Sequence, residues 1–146
     1  MGPHFRAGVI IVVERSDGMV LAFERCDAPG SWQLPQGGID AGESRCEAAW
    51  RELGEETGLG AGQVSLIGEH PEWTVYELPT AYQRGSRLGQ AHRWFRFRVL
   101  DDAVEPTPDG VEFGAWQWMA PVELVRLTAP FRQHGYSTVL LGASDE

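Results

Sequence analysis

The chain has 146 residues, with 21 acidic and 12 basic side chains and a formal net charge of −9 at pH 7. That length predicts one domain over residues 1–146, with a core that removes about 68–70% of the unfolded surface from water. The acidity excludes general affinity for a nucleic-acid backbone, double-stranded DNA included, because that attraction comes from basic side chains neutralising phosphates.

No apolar run approaches the ~20 residues of a membrane span, and the start, MGPHFRAGVIIVV, lacks the basic, apolar, small-residue order of a secretory signal. A cytoplasmic location and no membrane partner are therefore expected. Cys26 and Cys46 fit no metal spacing and are expected to be thiols, and none of the four histidines has ligand spacing to another.

Arg6 to Val13 is a β-branched strand, Asp17-Gly18 signals a hairpin turn, and Val20 to Glu24 returns as the partner strand. Trp32 to Leu34 is a short strand leading into Leu34-Pro35-Gln36-Gly37-Gly38. This segment cannot be helical, and its glycines free the backbone to take positive φ or approach a ligand closely.

Ser44 stands three residues before Glu47, the spacing of a reciprocal helix cap, so a helix is expected to start there. It continues to about Thr57, and Gly58 is suited to end it in the left-handed conformation. Glu52, Glu55 and Glu56 share one face at i, i+3 and i+4, while Cys46, Ala49 and Leu53 form the adjacent apolar stripe. In water such like charges repel by only about 0.2–0.5 kcal/mol per pair, but apolar packing alongside raises that cost. Divalent cations with a preference for oxygen ligands would relieve it. Taken alone, an ExxEE run is more often the pattern of a solvated helix face.

Gln63 to Glu69 and Trp73 to Leu78 read as strands, Thr80 to Gln90 as an irregular connection, and Arg93 to Leu100 as an alternating strand. Asp101 to Gly110 is a loop, Phe113 to Met119 a strand, and the chain closes with a short helix after Pro121 and another around Arg132 to Leu141. The order predicts an α/β fold with a mixed sheet between helices.

All the basic residues are arginines, and Arg84, Arg87, Arg93, Arg96 and Arg98 crowd one stretch. Arginine's planar fork suits phosphate, which makes this stretch a candidate anion patch. Arg96 and Arg98 equally form the solvated face of a strand whose other face is Phe95, Phe97 and Val99. Arg87 and Arg93 flank Gly89-Gln90 and are read as substrate contacts.

The full spacing is Gly37, five residues, Glu43, seven residues, then Arg51-Glu52-Leu53-Gly54-Glu55-Glu56-Thr57-Gly58-Leu59. It resembles the Nudix box at every fixed position, the signature of enzymes that hydrolyse nucleoside diphosphates linked to another moiety. That resemblance implies an α/β/α sandwich and a Mg2+-dependent hydrolase, with Mn2+ as a substitute. By similarity, Glu52, Glu55 and Glu56 are metal-binding carboxylates, the Gly37 carbonyl is a further ligand, and Glu43 and Arg51 support the box through ion pairing.

A narrower resemblance runs through Arg6-Ala7-Gly8-Val9, Ser31 to Gly38, Tyr76-Glu77-Leu78-Pro79, Gly89-Gln90 leading to Arg93-Trp94-Phe95, and Glu112-Phe113 followed by Trp116-Gln117-Trp118. These segments are similar to the Nudix branch of bacterial RNA pyrophosphohydrolases and dinucleoside polyphosphate hydrolases. The similarity makes Glu112 a candidate for the metals or for the role of base, although by itself it is an ordinary strand-edge acid. It leaves the base as Glu56 or Glu112, with Glu55 among the catalytic carboxylates. Phe131 resembles an aromatic that stacks on a base, and it is equally suited to packing the last helix. Arg6, Arg25, Gln36, Gly38, Arg87, Arg93 and Phe131 make up the expected substrate contacts.

The first expected substrate is the triphosphorylated 5′ end of RNA, and the second is a dinucleoside polyphosphate such as diadenosine tetraphosphate. Non-standard nucleoside triphosphates come third, and an idle nucleotide-sensing box is the rival from another class. Ala91-His92-Arg93, where RNA-directed relatives are richer in lysine, and the overall acidity shift some weight toward the dinucleotide without displacing RNA from first place.

Overall fold

The computed structural model describes residues 2–83 and 85–142; Arg84, one of the clustered arginines, lies outside them. Its strands are β1 (His4–Glu14), β2 (Val20–Arg25), β3 (Trp32–Gln33), β4 (Gln36–Gly38), β5 (Val64–Glu69), β6 (Thr74–Glu77), β7 (Arg87–Val99) and β8 (Phe113–Met119). The helices are α1 (Arg45–Thr57), α2 (Pro121–Leu127) and α3 (Pro130–Leu141). Together the strands make one mixed sheet ordered β3-β2-β1-β7-β5, with β4 also on β1, β6 on β7 and β8 on β2.

The centre of the sheet is β1, whose Val9 to Val13 are all buried. A run of β-branched residues without polar alternation suits a strand covered on both faces. It runs parallel to β7 from His4 opposite Arg87 to Glu14 opposite Arg98. Val9, Ile11, Val13, Phe95 and Phe97 meet Ala48, Ala49 and Leu53 of α1 on one face. On the other, Ile10, Val12 and Trp94 meet Leu124 of α2 and Tyr136 and Val139 of α3. The result is an α/β/α sandwich, and truncating a wholly buried side chain such as Leu53 to Ala would cost about 2–5 kcal/mol.

Several elements differ from the sequence reading. The Asp17-Gly18 turn forms, but β2 pairs with β1 only at Glu14 opposite Val20 and then follows β8 along its length. Into the opening thus left beside β1 comes Gln36–Gly38, a short strand and not a loop, paired with Gly8 to Ile10. Gly37 and Gly38 do not use positive φ; among the box glycines that conformation belongs to Gly42 and Gly58.

Arg87 to Gln90, expected to be irregular, begins β7, because pairing with β1 on one side and β6 on the other extends the strand. Helix α3 starts two residues earlier than expected, with Pro130 in its first turn. Cys46 is exposed and Ala48 takes its place in the core, while Cys26 is likewise a free, exposed thiol. Among the described residues, no helix is long and apolar enough to cross a membrane.

Candidate active site

Local sequence determines where α1 begins and ends. Ser44 accepts the Glu47 N–H and the Glu47 side chain accepts the Ser44 N–H, a complete capping box, while Gly58 ends the helix at φ 72°. The helix therefore turns Glu52 and Glu56 inward against β4, with only 7% and 6% of each residue exposed. Glu55 stays at the surface.

Arg51 is the hub of this arrangement. Its Nε and Nη2 reach the two Glu43 oxygens at 2.7 and 2.9 Å, and Nη2 also donates to the Gly38 carbonyl at 2.8 Å. From Nη1 it reaches Glu52 at 2.7 Å and Glu55 at 3.2 Å. One side chain thus ties the loop, the glycine strand and two box carboxylates together. Arg51 holds the Glu43 carboxyl down to about 2, with help from the Asp40 amide.

Glycine at positions 37 and 38 lets two side chains approach the backbone closely. A Cβ on Gly37 would fall inside the Glu52 carboxylate, and one on Gly38 inside the Arg6 guanidinium. The backbone between them is the floor of a cleft of about 280 Å³ walled by Arg6, Gln36, Glu52, Glu56, Gln90 and Glu112. Glu56 Oε2 accepts the Gln36 backbone N–H at 3.1 Å. The Gln36 side chain donates to the Tyr76 hydroxyl at 3.2 Å and to Gln90 at 3.1 Å, and Tyr76 donates to Gln90 at 3.1 Å.

Burial pushes the Glu56 carboxyl well above its ordinary range, and the nearby charges of Glu112 and Glu52 push it the same way. Burial also raises Glu52, against the opposing pull of Arg51. Carboxylates that are buried, mutually repelling and set against close backbone form a hard oxygen site, the chemistry preferred by Mg2+. Among the described residues, no three acidic, histidine or cysteine side chains converge on a single point. Glu52 and Glu55 turn to Arg51, and Glu112 turns to Arg25 at 3.3 Å. The donor set suits a divalent cation in its chemistry, and such an ion would have to displace those arginines from the same oxygens. Gly37, Glu52, Glu55, Glu56 and Glu112 are the groups that could hold it.

A second, larger cleft of about 440 Å³ is lined by Arg25, Ser31, Tyr82, Phe131 and Arg132 among others. Arg132 is only 8% exposed, its guanidinium lies 4.5 Å over the Phe131 ring, and its Nε has no hydrogen-bond partner. Phe131 also meets Tyr76 edge-on, with ring centroids 5.1 Å apart. Arg25 belongs to this wall and at the same time contacts Glu112 of the acidic cleft, so the two clefts share a boundary.

The clustered arginines of β7 are engaged elsewhere. Arg93 pairs with Glu69 at 2.9 Å and lies over Trp73, while Arg96 and Arg98 both pair with Glu14. Arg87 stands opposite His4, its Nε buried without a partner. None of these four lines either cleft. His92 is buried and its pKa is pushed down to about 3 by burial, so it is a neutral packing residue.

Residue-level reading of the sequence missed Gln90 and Arg132 as wall residues, and Tyr76 as the hydroxyl bonded to Gln36 and Gln90. Gln90 and Tyr76 carry no charge and have no motif spacing, and the signal that was present, alternation on β6 and β7, identifies a face without saying what it borders. Arg132 follows Phe131 directly, and a basic residue beside an aromatic at a helix start was the available sign.

The NUDIX domain model matches residues 4–139. The chain is 40% identical over 143 residues to an RNA pyrophosphohydrolase of Cereibacter sphaeroides, covering 93% of this chain and 88% of the relative. It is 39% identical over 145 residues to an RNA pyrophosphohydrolase of Rhodospirillum rubrum, covering 95% and 87%. In fold it is similar to the E. coli dihydroneopterin triphosphate pyrophosphohydrolase, with a TM-score of 0.77 and 23% identity over 95% of this chain and 99% of that one. With a complete box on α1 and β4 and the family model spanning nearly all its length, the chain belongs to the Nudix family of hydrolases.

Proposed function

We propose that the protein is a Mg2+-dependent RNA pyrophosphohydrolase that converts a 5′-triphosphate end to a monophosphate. The observation that carries this reading is the shared boundary at Arg25, which joins an acidic, phosphate-sized cleft to a larger cleft walled by Phe131, Tyr82 and Arg132. One compartment suits an anhydride, the other a nucleoside. The similarity to RNA pyrophosphohydrolases over most of the chain supports the same substrate.

In the reaction, a water attacks phosphorus, the P–O bond of the anhydride breaks, pyrophosphate leaves with that oxygen and one proton is released. Mg2+, or Mn2+ in its place, supplies charge neutralisation on the phosphate oxygens and makes the attacking water more acidic when bound by Glu52, Glu55, Glu56, Glu112 and the Gly37 carbonyl.

Glu56 is assigned as the proton acceptor. The Gln36 amide fixes one oxygen of this carboxylate in the wall of the acidic cleft. Gly37 and Gly38 let phosphate approach the backbone, Arg6 and Arg25 meet its outer oxygens, and the Gln36 and Gln90 side chains border the same cleft. Glu43 and Arg51 keep α1 and β4 in register. Phe131 stacks on a base, with Arg132 covering its ring.

The net charge of −9 favours a second reading, hydrolysis of a small dinucleoside polyphosphate, because an acidic surface repels a long RNA. Product analysis under Mg2+ tests both. Release of pyrophosphate and a 5′-monophosphate from triphosphorylated RNA, faster than cleavage of diadenosine tetraphosphate or free triphosphates, is expected. The reverse preference selects the second reading, and tight nucleotide binding without hydrolysis refutes both.

A further inference from the structure

Tyr136 is one of the largest buried side chains, only 1% exposed, and has no place in the reaction described so far. It sits on the inner face of α3, edge-on to Trp94 with ring centroids 5.3 Å apart. Ring packing explains a phenylalanine at this position and leaves the hydroxyl to be accounted for. That hydroxyl oxygen accepts the backbone N–H of Leu34 at 2.9 Å.

Leu34 starts a three-residue arm that ends on Glu56. The Pro35 carbonyl accepts the Ile11 N–H at 2.9 Å, and the Gln36 N–H donates to Glu56 Oε2 at 3.1 Å. Three consecutive residues are thus held by three different elements, α3, β1 and α1. The proline between them fixes its own φ and confines Leu34 to extended conformations, so little freedom separates the Leu34 and Gln36 amides. Displacing one end of the arm moves the other. Burial pushes the phenol up to about 12, so the hydroxyl stays neutral and this bond persists across working pH.

We infer that Tyr136 is a positioning residue for catalysis: by holding the Leu34 amide it sets the Gln36 amide that orients the Glu56 carboxylate. Helix α3 also carries Phe131 and Arg132 in the wall of the larger cleft. The seating of the nucleoside wall is thereby joined mechanically to the carboxylate in the anhydride cleft. The inference deepens the proposed function and rests on it for its kinetic effect, whereas its geometric part does not.

Tyr136→Phe in the full chain removes the hydroxyl and keeps the ring, and Val139→Ala on the same helix is the control for simple loosening of the core. In amide correlation spectra of the metal-free protein, Tyr136→Phe should move the Gln36 resonance away from its carboxylate-bonded position. Val139→Ala should not. With Mg2+, kcat of Tyr136→Phe should fall about tenfold, the usual scale for outer groups that hold a catalytic residue. Its KM should stay within about threefold, and Val139→Ala should lower the melting temperature with kcat within about twofold.

Hydrogen exchange of the wild type reads the same arm without any variant. Leu34 and Gln36 should exchange slowly and at matching rates. A free, fast Leu34 amide, an unmoved Gln36 resonance with wild-type kcat in Tyr136→Phe, or equal kcat losses in both variants would overturn the inference. A wild type that hydrolyses no phosphoanhydride, together with a Gln36 resonance that shifts as expected, would instead refute the proposed function and leave the arm standing.

Discussion

Arg25 reaches Glu112 at 3.3 Å across the edge of the sheet while forming part of the wall of the larger cleft. The same guanidinium also bonds Asp27 at 2.8 and 2.9 Å and Gln33 at 3.0 Å. A planar fork serves several partners at once, and a lysine ammonium in its place would lose that reach. Arg25→Ala should remove a charge-assisted contact of about 1.5–3 kcal/mol, lowering kcat/KM about 10–150-fold. Arg25→Lys should recover only part of it. Steady-state kinetics measures both, and an unchanged kcat/KM in Arg25→Ala would remove Arg25 from the substrate path.

Phe131 borders the larger cleft and is gripped on one side by Arg132 and on another by Tyr76. Stacking on a base is worth about 1–3 kcal/mol, so Phe131→Ala should raise KM about 5–150-fold with kcat nearly kept. A loss confined to melting temperature would mean that the ring only packs α3.

Glu56 is buried, and its carboxyl is raised above 4.5 by burial and by Glu112 and Glu52. In the metal-free protein the folded state therefore holds more protons than the unfolded chain as pH climbs past 4.5, so stability declines through that window. Glu56→Gln removes the titrating group. Its metal-free melting temperature should fall less between pH 5 and pH 8 than that of the wild type, while turnover with Mg2+ drops by about 100-fold or more. Calorimetry at several pH values checks the first effect and pyrophosphate release the second. Retained wild-type turnover would return the role of base to Glu112.

The box was legible because its structure is local. Ser44, Glu47 and Gly58 determine where α1 begins and ends using groups within a few residues of one another, and the spacing of Glu52 and Glu56 then fixes which oxygens turn inward. Gln36–Gly38 was illegible as a strand because its pairing lies on β1, some thirty residues away in sequence, and glycine carries no strand preference of its own. Local crowding of charge does not reveal the surroundings of Arg93. It faces the α1 side of the sheet beside Glu69, a partner that no short-range pattern links to it. Tyr136 shows the same limit, since its hydroxyl matters through Leu34, 102 positions earlier.

In crystals soaked in Mn2+ with a non-hydrolysable triphosphate analogue, the anomalous signal of the ion shows whether the box carboxylates hold a metal beside phosphate. Manganese is expected between the Gly37 carbonyl and the carboxylates of Glu52, Glu56 and Glu112, with the analogue's phosphates beside Arg6 and Arg25. Analogue bound there with no manganese at those oxygens, and Glu52 and Glu112 still paired with Arg51 and Arg25, would contradict that arrangement.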